Sequence, residues 1–161
     1  MLTLILSVLR IFYMFRARAM RTLAARWGFQ YIGPPAPRWW WNPSHAKFSP
    51  PLPGWLSSVP SVPQIRQVWN VIEGQQNGVS VLIFDGVIGA RGGAPCTFIM
   101  CQTEQNPFGI TTPPDRLIQL HGWTVLHGVW FLWFSWIMGT QRLERHMKKL
   151  RAGSISALDK S

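Results

Sequence analysis

Two cysteines, four histidines and six carboxylates are the groups from which thiol, metal or paired-acid chemistry would be built in this 161-residue chain. A cysteine nucleophile needs a neighbour, such as histidine, that stabilises its thiolate. Cys96 and Cys101 instead lie in an apolar, strand-like run, and their spacing of five sets them on opposite faces of a regular strand. They read as small buried hydrophobes of a reducing compartment. A zinc site calls for tight spacings such as C-x2-C or H-x3-H. His121 and His127 are six apart, His45 has no partner nearby in sequence, and His146 stands between Arg145 and Met147 on a helix-like stretch. Paired-carboxylate catalysis needs two acids that converge, and the six acids are scattered. Asp85, which closes an apolar run before Gly86, is expected to brace a turn. Glu73 is expected at an exposed strand end. The Gly-Ala-Arg-Gly-Gly sequence at 89–93 lacks the Lys and Ser/Thr of a phosphate-binding loop, and Pro95 follows where a helix should start. No catalytic residue, cofactor-binding residue, metal ligand or cofactor is therefore expected, and no small-molecule substrate is identified.

The charge distribution says more. Sixteen basic against six acidic residues leave a formal charge of +10. Ten of those basic residues fall in two segments, 1–26 and 142–151. A basic surface attracts polyanions, with anionic lipid and nucleic acid the main candidates. The first cluster directly follows residues 2–15, which are apolar on every side of a helix. A cleaved secretory signal would carry its positive charge ahead of the apolar run, the reverse of the order here. Residues 1–15 are thus expected to be an uncleaved membrane anchor. Its flanking arginines, Arg16, Arg18, Arg21 and Arg26, are expected at the membrane surface, on the cytoplasmic side of the inner membrane. Each would contribute about 1 kcal/mol beside acidic lipid. Fourteen residues reach only about 21 Å, short of the roughly 30 Å hydrocarbon core. Arg10 inside the run would cost about 2.5–3.5 kcal/mol at the bilayer centre. Spanning the bilayer, lying in its interface and packing as a soluble core helix are the alternatives these residues leave.

The runner-up is a soluble basic module for single-stranded nucleic acid. Such proteins interleave cations with stacking aromatics, whereas here the cations gather in terminal helices and the aromatics in strands and a connector. A cryptic hydrolase ranks third, since it would need His121 or His127 brought to Cys101 or Asp85.

The elements expected to carry these residues are a basic helix within 16–32, stopped by Gly33-Pro34-Pro35, and a connector over 33–63. The connector holds nine of the thirteen prolines together with Trp39, Trp40, Trp41 and Trp55. Residues 64–151 are expected to form an antiparallel sheet of five or six strands and a C-terminal amphipathic helix, with 152–161 a polar tail. Strands are expected over 67–73, 79–85, 95–102, 116–120, 122–127 and 129–136. Asn77-Gly78 is the strongest turn signal. The uncharged stretch 122–139 is aromatic, β-branched and broken by glycine, which favours strands over a second membrane span. The helix is expected over 138–150, where Leu143, His146, Met147 and Leu150 recur at i, i+3, i+4 and i+7. Helices segregated from a run of strands indicate an α+β fold, and the aromatic sheet offers a surface for a protein partner.

Leu23-Ala24-Ala25-Arg26-Trp27-Gly28-Phe29, the proline-rich stretch, Asn70-Val71-Ile72-Glu73-Gly74 and Asn77 to Asp85 together resemble a group of uncharacterised bacterial membrane-anchored proteins. Gly122-Trp123-Thr124-Val125-Leu126 and Arg142-Leu143-Glu144 are similar to that group's closing strand and helix. The resemblance implies a membrane-anchored domain of unknown function. The apolar run followed by basic residues is what points to a non-enzymatic accessory or scaffolding role at an anionic membrane surface.

Overall fold

The computed structural model describes residues 2–32, 65–88, 94–108, 115–120, 122–129 and 135–158. The proline-rich connector, His45, Trp39, Trp40, Trp41, the glycine-rich 89–93 loop and His121 lie outside them. The element order is α1 (Leu2–Trp27), β1 (Gln30–Ile32), β2 (Ile65–Gln76), β3 (Val79–Ile88), β4 (Ala94–Cys101), β5 (Asp115–Leu120), β6 (Trp123–Val129) and α2 (Ser135–Leu158). The six strands form one sheet in the order β1-β2-β3-β4-β6-β5, with every pairing antiparallel. The fold is α+β.

The expected anchor and basic helix are one 26-residue helix, about 39 Å long. It stops at Gly28, well before the expected Gly33-Pro34-Pro35. Gly28 takes a left-handed φ of 73°. Its N–H donates to Ala25 O at 3.2 Å, and the Phe29 N–H donates to Ala24 O at 2.8 Å. This pair of bonds is a Schellman cap, which satisfies carbonyls that the last helical turn leaves free. It also turns Phe29 back into the core beside Leu23 and Ala24. The chain is thereby aimed into β1, a three-residue strand that the sequence pattern had merged with the helix.

Phe29 accounts for Gly74 near the end of β2. A Cβ on Gly74 would stand 2.3 Å from Phe29 Cδ1 and 2.4 Å from Cγ. Gly74→Ala is therefore expected to destabilise the domain by about 1–3 kcal/mol through overpacking. Urea unfolding would read this, and an unchanged midpoint would show that the ring can retreat.

The β2–β3 hairpin closes on Asn77 and Gly78, both at positive φ (51° and 76°), so the strands run further into the turn than the expected 74–78 loop allows. Beyond it, β3 continues through Gly86 to Ile88. Asp85 consequently sits inside a strand and does not brace a turn. Of the separate strand expected over 129–136, residues 130–134 lie outside the described residues; Val129 belongs to β6, and helix has begun by Ser135. The sheet still has six strands because β1 makes up the number. The expected tail is helical as far as Leu158.

Alternation along the strands gives the sheet two distinct faces. On one, Ile72, Val81, Ile83, Ile99, Cys101 and Leu126 pack under Met20, Leu23 and Ala24 of α1 and Leu143, Met147 and Leu150 of α2. The other carries Val68, Val71, Phe84, Cys96, Phe98, Met100 and Val125. The segment after β4 folds over the helical face. Phe108 is fully buried there, its ring edge-on to His146, and its carbonyl accepts from Lys149 Nζ at 3.2 Å.

Candidate functional site

The most concentrated polar chemistry lies under α1, where one residue from the helix and one from each of four neighbouring strands converge. Asp85 of β3 is the hub. Arg16 Nε donates to its Oδ2 at 3.0 Å and Arg16 Nη2 to its Oδ1 at 2.9 Å. Thr97 of β4, directly opposite Asp85 in the register, donates its hydroxyl to Oδ1 at 2.6 Å and accepts from Arg16 Nη2 at 3.1 Å. Asn70 of β2 donates Nδ2 to Oδ2 at 2.9 Å. Tyr31 of β1 donates its hydroxyl to Asn70 Oδ1 at 2.7 Å.

Asn70 reaches Asp85 because of a bulge. The register passes from Trp69 opposite Asp85 to Ile72 opposite Ile83, so Asn70 and Val71 together face a single residue. Asn70 adopts φ 52°, a left-handed conformation that asparagine tolerates better than most residues. The extra residue re-aims the strand, as bulges do. Burial pushes the Tyr31 hydroxyl above its ordinary 10.0; the Arg21 charge opposes this, the Asp85 charge adds to it, and Arg16 opposes it again.

This constellation is a buried, mutually bonded network that ties the helix to the sheet. Each Asp85 oxygen accepts two hydrogen bonds, which fills a carboxylate's acceptor sites. The side chains of Arg16 and Asp85 are only 3% and 6% exposed. No group of three or more potential metal-binding His, Cys, Asp or Glu side chains occurs among the described residues.

The structure divides the four arginines expected at a membrane surface. Arg16 is buried and held by Asp85, so its charge is spent inside the domain; this corrects its expected surface role. Arg26 pairs with Glu144 of α2 on the surface. Arg18 and Arg21 are exposed, with Arg21 lying 5.3 Å from the Tyr31 ring centroid. Just ahead of them on α1, Ile11, Met14 and Phe15 are exposed at 51%, 61% and 64%. These large apolar side chains stand within about two helical turns of one another, an arrangement that favours contact with something less polar than water. No described helix is long and apolar enough to cross a membrane.

His127 is not brought to the acid or thiol expected for hydrolase chemistry, although it shares a sheet face with Cys96. Antiparallel partners share a face, so His127, opposite Phe98 and stacked on it at 5.7 Å, lies on the face away from Asp85 and Cys101. Cys96 and Cys101 occupy different clusters on opposite faces. Burial pushes both thiols from 9.0 up to about 12, with the Asp85 charge adding to the shift at Cys96. That is the reverse of what a nucleophile needs.

The raised thiols carry a pH dependence. Between 9 and about 12 the unfolded chain gives up thiol protons that the native chain keeps, so native stability falls as pH rises through that window. A Cys96→Ala/Cys101→Ala variant is expected to show a flatter alkaline limb in urea titrations from pH 8 to 11. An identical slope would place the alkaline sensitivity in other groups.

The chain matches no protein-family model, no curated protein and no solved structure.

Proposed function

We propose that this chain is a non-enzymatic accessory or scaffolding module held at an anionic membrane surface, with α1 as its point of attachment. The observation that carries this reading is the exposed set Ile11, Met14 and Phe15, followed on the same helix by the exposed Arg18 and Arg21. Apolar side chains favour the acyl region, and arginines just behind them favour acidic headgroups. The anionic cytoplasmic leaflet attracts the basic residues beside the inserted turns, which favours the cytoplasmic side of the inner membrane for the domain. Attachment of this kind needs insertion of the first helical turns and not a complete crossing. The sealed network around Asp85 supports a structural assignment for that polar cluster.

The test is sedimentation of the full chain with vesicles of phosphatidylcholine and phosphatidylglycerol. Co-sedimentation that survives about 1 M salt, where the Debye length falls to about 3 Å, is the expected result. Release by salt alone would leave a peripheral basic protein. Absence of vesicle binding together with salt-sensitive binding to an oligonucleotide would favour the nucleic-acid module.

A further inference from the structure

We propose that α1 enters the bilayer steeply, its axis closer to the membrane normal than to the membrane plane, with Arg18 and Arg21 marking the headgroup level. This rests on the membrane reading above and specifies the geometry of attachment. Successive residues of a helix are rotated by about 100°. Ile11, Phe15, Arg18, Thr22 and Ala25 recur at i, i+4, i+7, i+11 and i+14 and so share one side of α1, and all five are exposed. Met14 and Arg21 flank the same side and are exposed too.

Polarity on that side changes along the axis and not around it. Its upper part is Ile11, Met14 and Phe15; its lower part is Arg18, Arg21 and Thr22. A helix lying flat in the interface keeps an apolar face along its whole length. Laid flat on this side, α1 would press Arg18 into the acyl region in line with Ile11 and Phe15. Rolling the helix offers no better side, because Arg16, Met20, Leu23 and Ala24 on the opposite side are buried against the domain. The Arg16–Asp85 bonds fix that rotation. Steep entry lets the apolar turns go into lipid while Arg18 and Arg21 remain among phosphates, and it brings the part of the sheet held by Arg16 against the headgroups.

The experiment uses the full chain carrying Cys96→Ala and Cys101→Ala, with one environment-sensitive fluorophore in turn on Ile11→Cys, Phe15→Cys, Arg18→Cys, Thr22→Cys and Ala25→Cys. All five sites are exposed, so the fold tolerates the labels. Vesicles of phosphatidylcholine and phosphatidylglycerol carry quenchers at a shallow or a deep position of the acyl chain. The expected result is a blue-shifted, deeply quenched probe at 11 and 15, shallow quenching at 18, and a water-like probe at 22 and 25. Equal depth at all five positions would overturn steep entry while leaving attachment intact. A water-like probe at every position would overturn both.

Discussion

Arg16→Met is expected to lower the stability of the domain by about 3–5 kcal/mol, among the largest losses available to a single substitution in this chain. Removing one partner of a buried pair strands the other charge away from water, and the desolvation penalty then stands uncompensated. Asp85→Asn is expected to do comparable damage from the other side, leaving a guanidinium 3% exposed beside a neutral amide. The informative variant is the double one. With both charges gone, the remaining cost is the imperfect pairing of the Thr97 hydroxyl and the Asn70 amide, about 1–3 kcal/mol. The double variant should therefore be more stable than the sum of the single losses allows, by at least about 3 kcal/mol. Urea unfolding of the four proteins completes the cycle. Additive losses would mean that Arg16 and Asp85 each act through separate neighbours and that the bidentate contact has little energetic weight.

The same pair shows where sequence reasoning ran out. Period-two alternation and the Asn77-Gly78 turn located β3 and β4, and they placed Cys96 and Cys101 on opposite faces, because those signals are local. Asp85 meets partners 69, 15 and 12 residues away, and no window along the chain contains Arg16, Asn70 and Thr97 together. A clue was nonetheless present. Asn70 interrupts the run Val68-Trp69-Asn70-Val71-Ile72, and asparagine is a poor strand former. An asparagine within a strand marks a place where the backbone departs from the regular pleat, which here is the bulge that turns it toward Asp85.

Helix ends failed for a different reason. Gly28 was readable as a C-terminal stop, yet the more obvious Gly33-Pro34-Pro35 drew the boundary too late and hid β1, which at three residues is too short to show any period. At the other end of the chain, Gly153 and two serines lower helix propensity without forbidding helix, and α2 runs through them. The charge pattern was read correctly as clustered and incorrectly as uniform in role. Arg16, Arg18, Arg21 and Arg26 look alike in sequence, but helical rotation sends Arg16 inward and leaves Arg18 and Arg21 outside.

Replacing Ile11 and Phe15 together by aspartate is expected to abolish vesicle binding while leaving the fold untouched. Both side chains are more than half exposed in the domain, and substitutions at such sites usually shift stability by no more than about 0.5 kcal/mol. Membrane affinity should respond very differently. Each lost apolar side chain removes about 1 kcal/mol of burial for the half of its surface still available, from the 1.5–3 kcal/mol of a full transfer. Each aspartate adds a further cost of up to about 2.5–3.5 kcal/mol if it is carried into hydrocarbon. These terms sum to at most about 7–9 kcal/mol, and even about 5 kcal/mol corresponds to a loss of more than about a thousandfold in affinity. Arg18→Ser with Arg21→Ser should be milder, about 1 kcal/mol for each charge, and its effect should vanish at high salt. Sedimentation with phosphatidylglycerol-containing vesicles reads both variants, with urea unfolding as the control for folding. An aspartate variant that still pellets as the parent does would remove the apolar side of α1 from any role at the membrane. Attachment would then rest with the arginines alone, and salt should release the parent chain as readily as the variant.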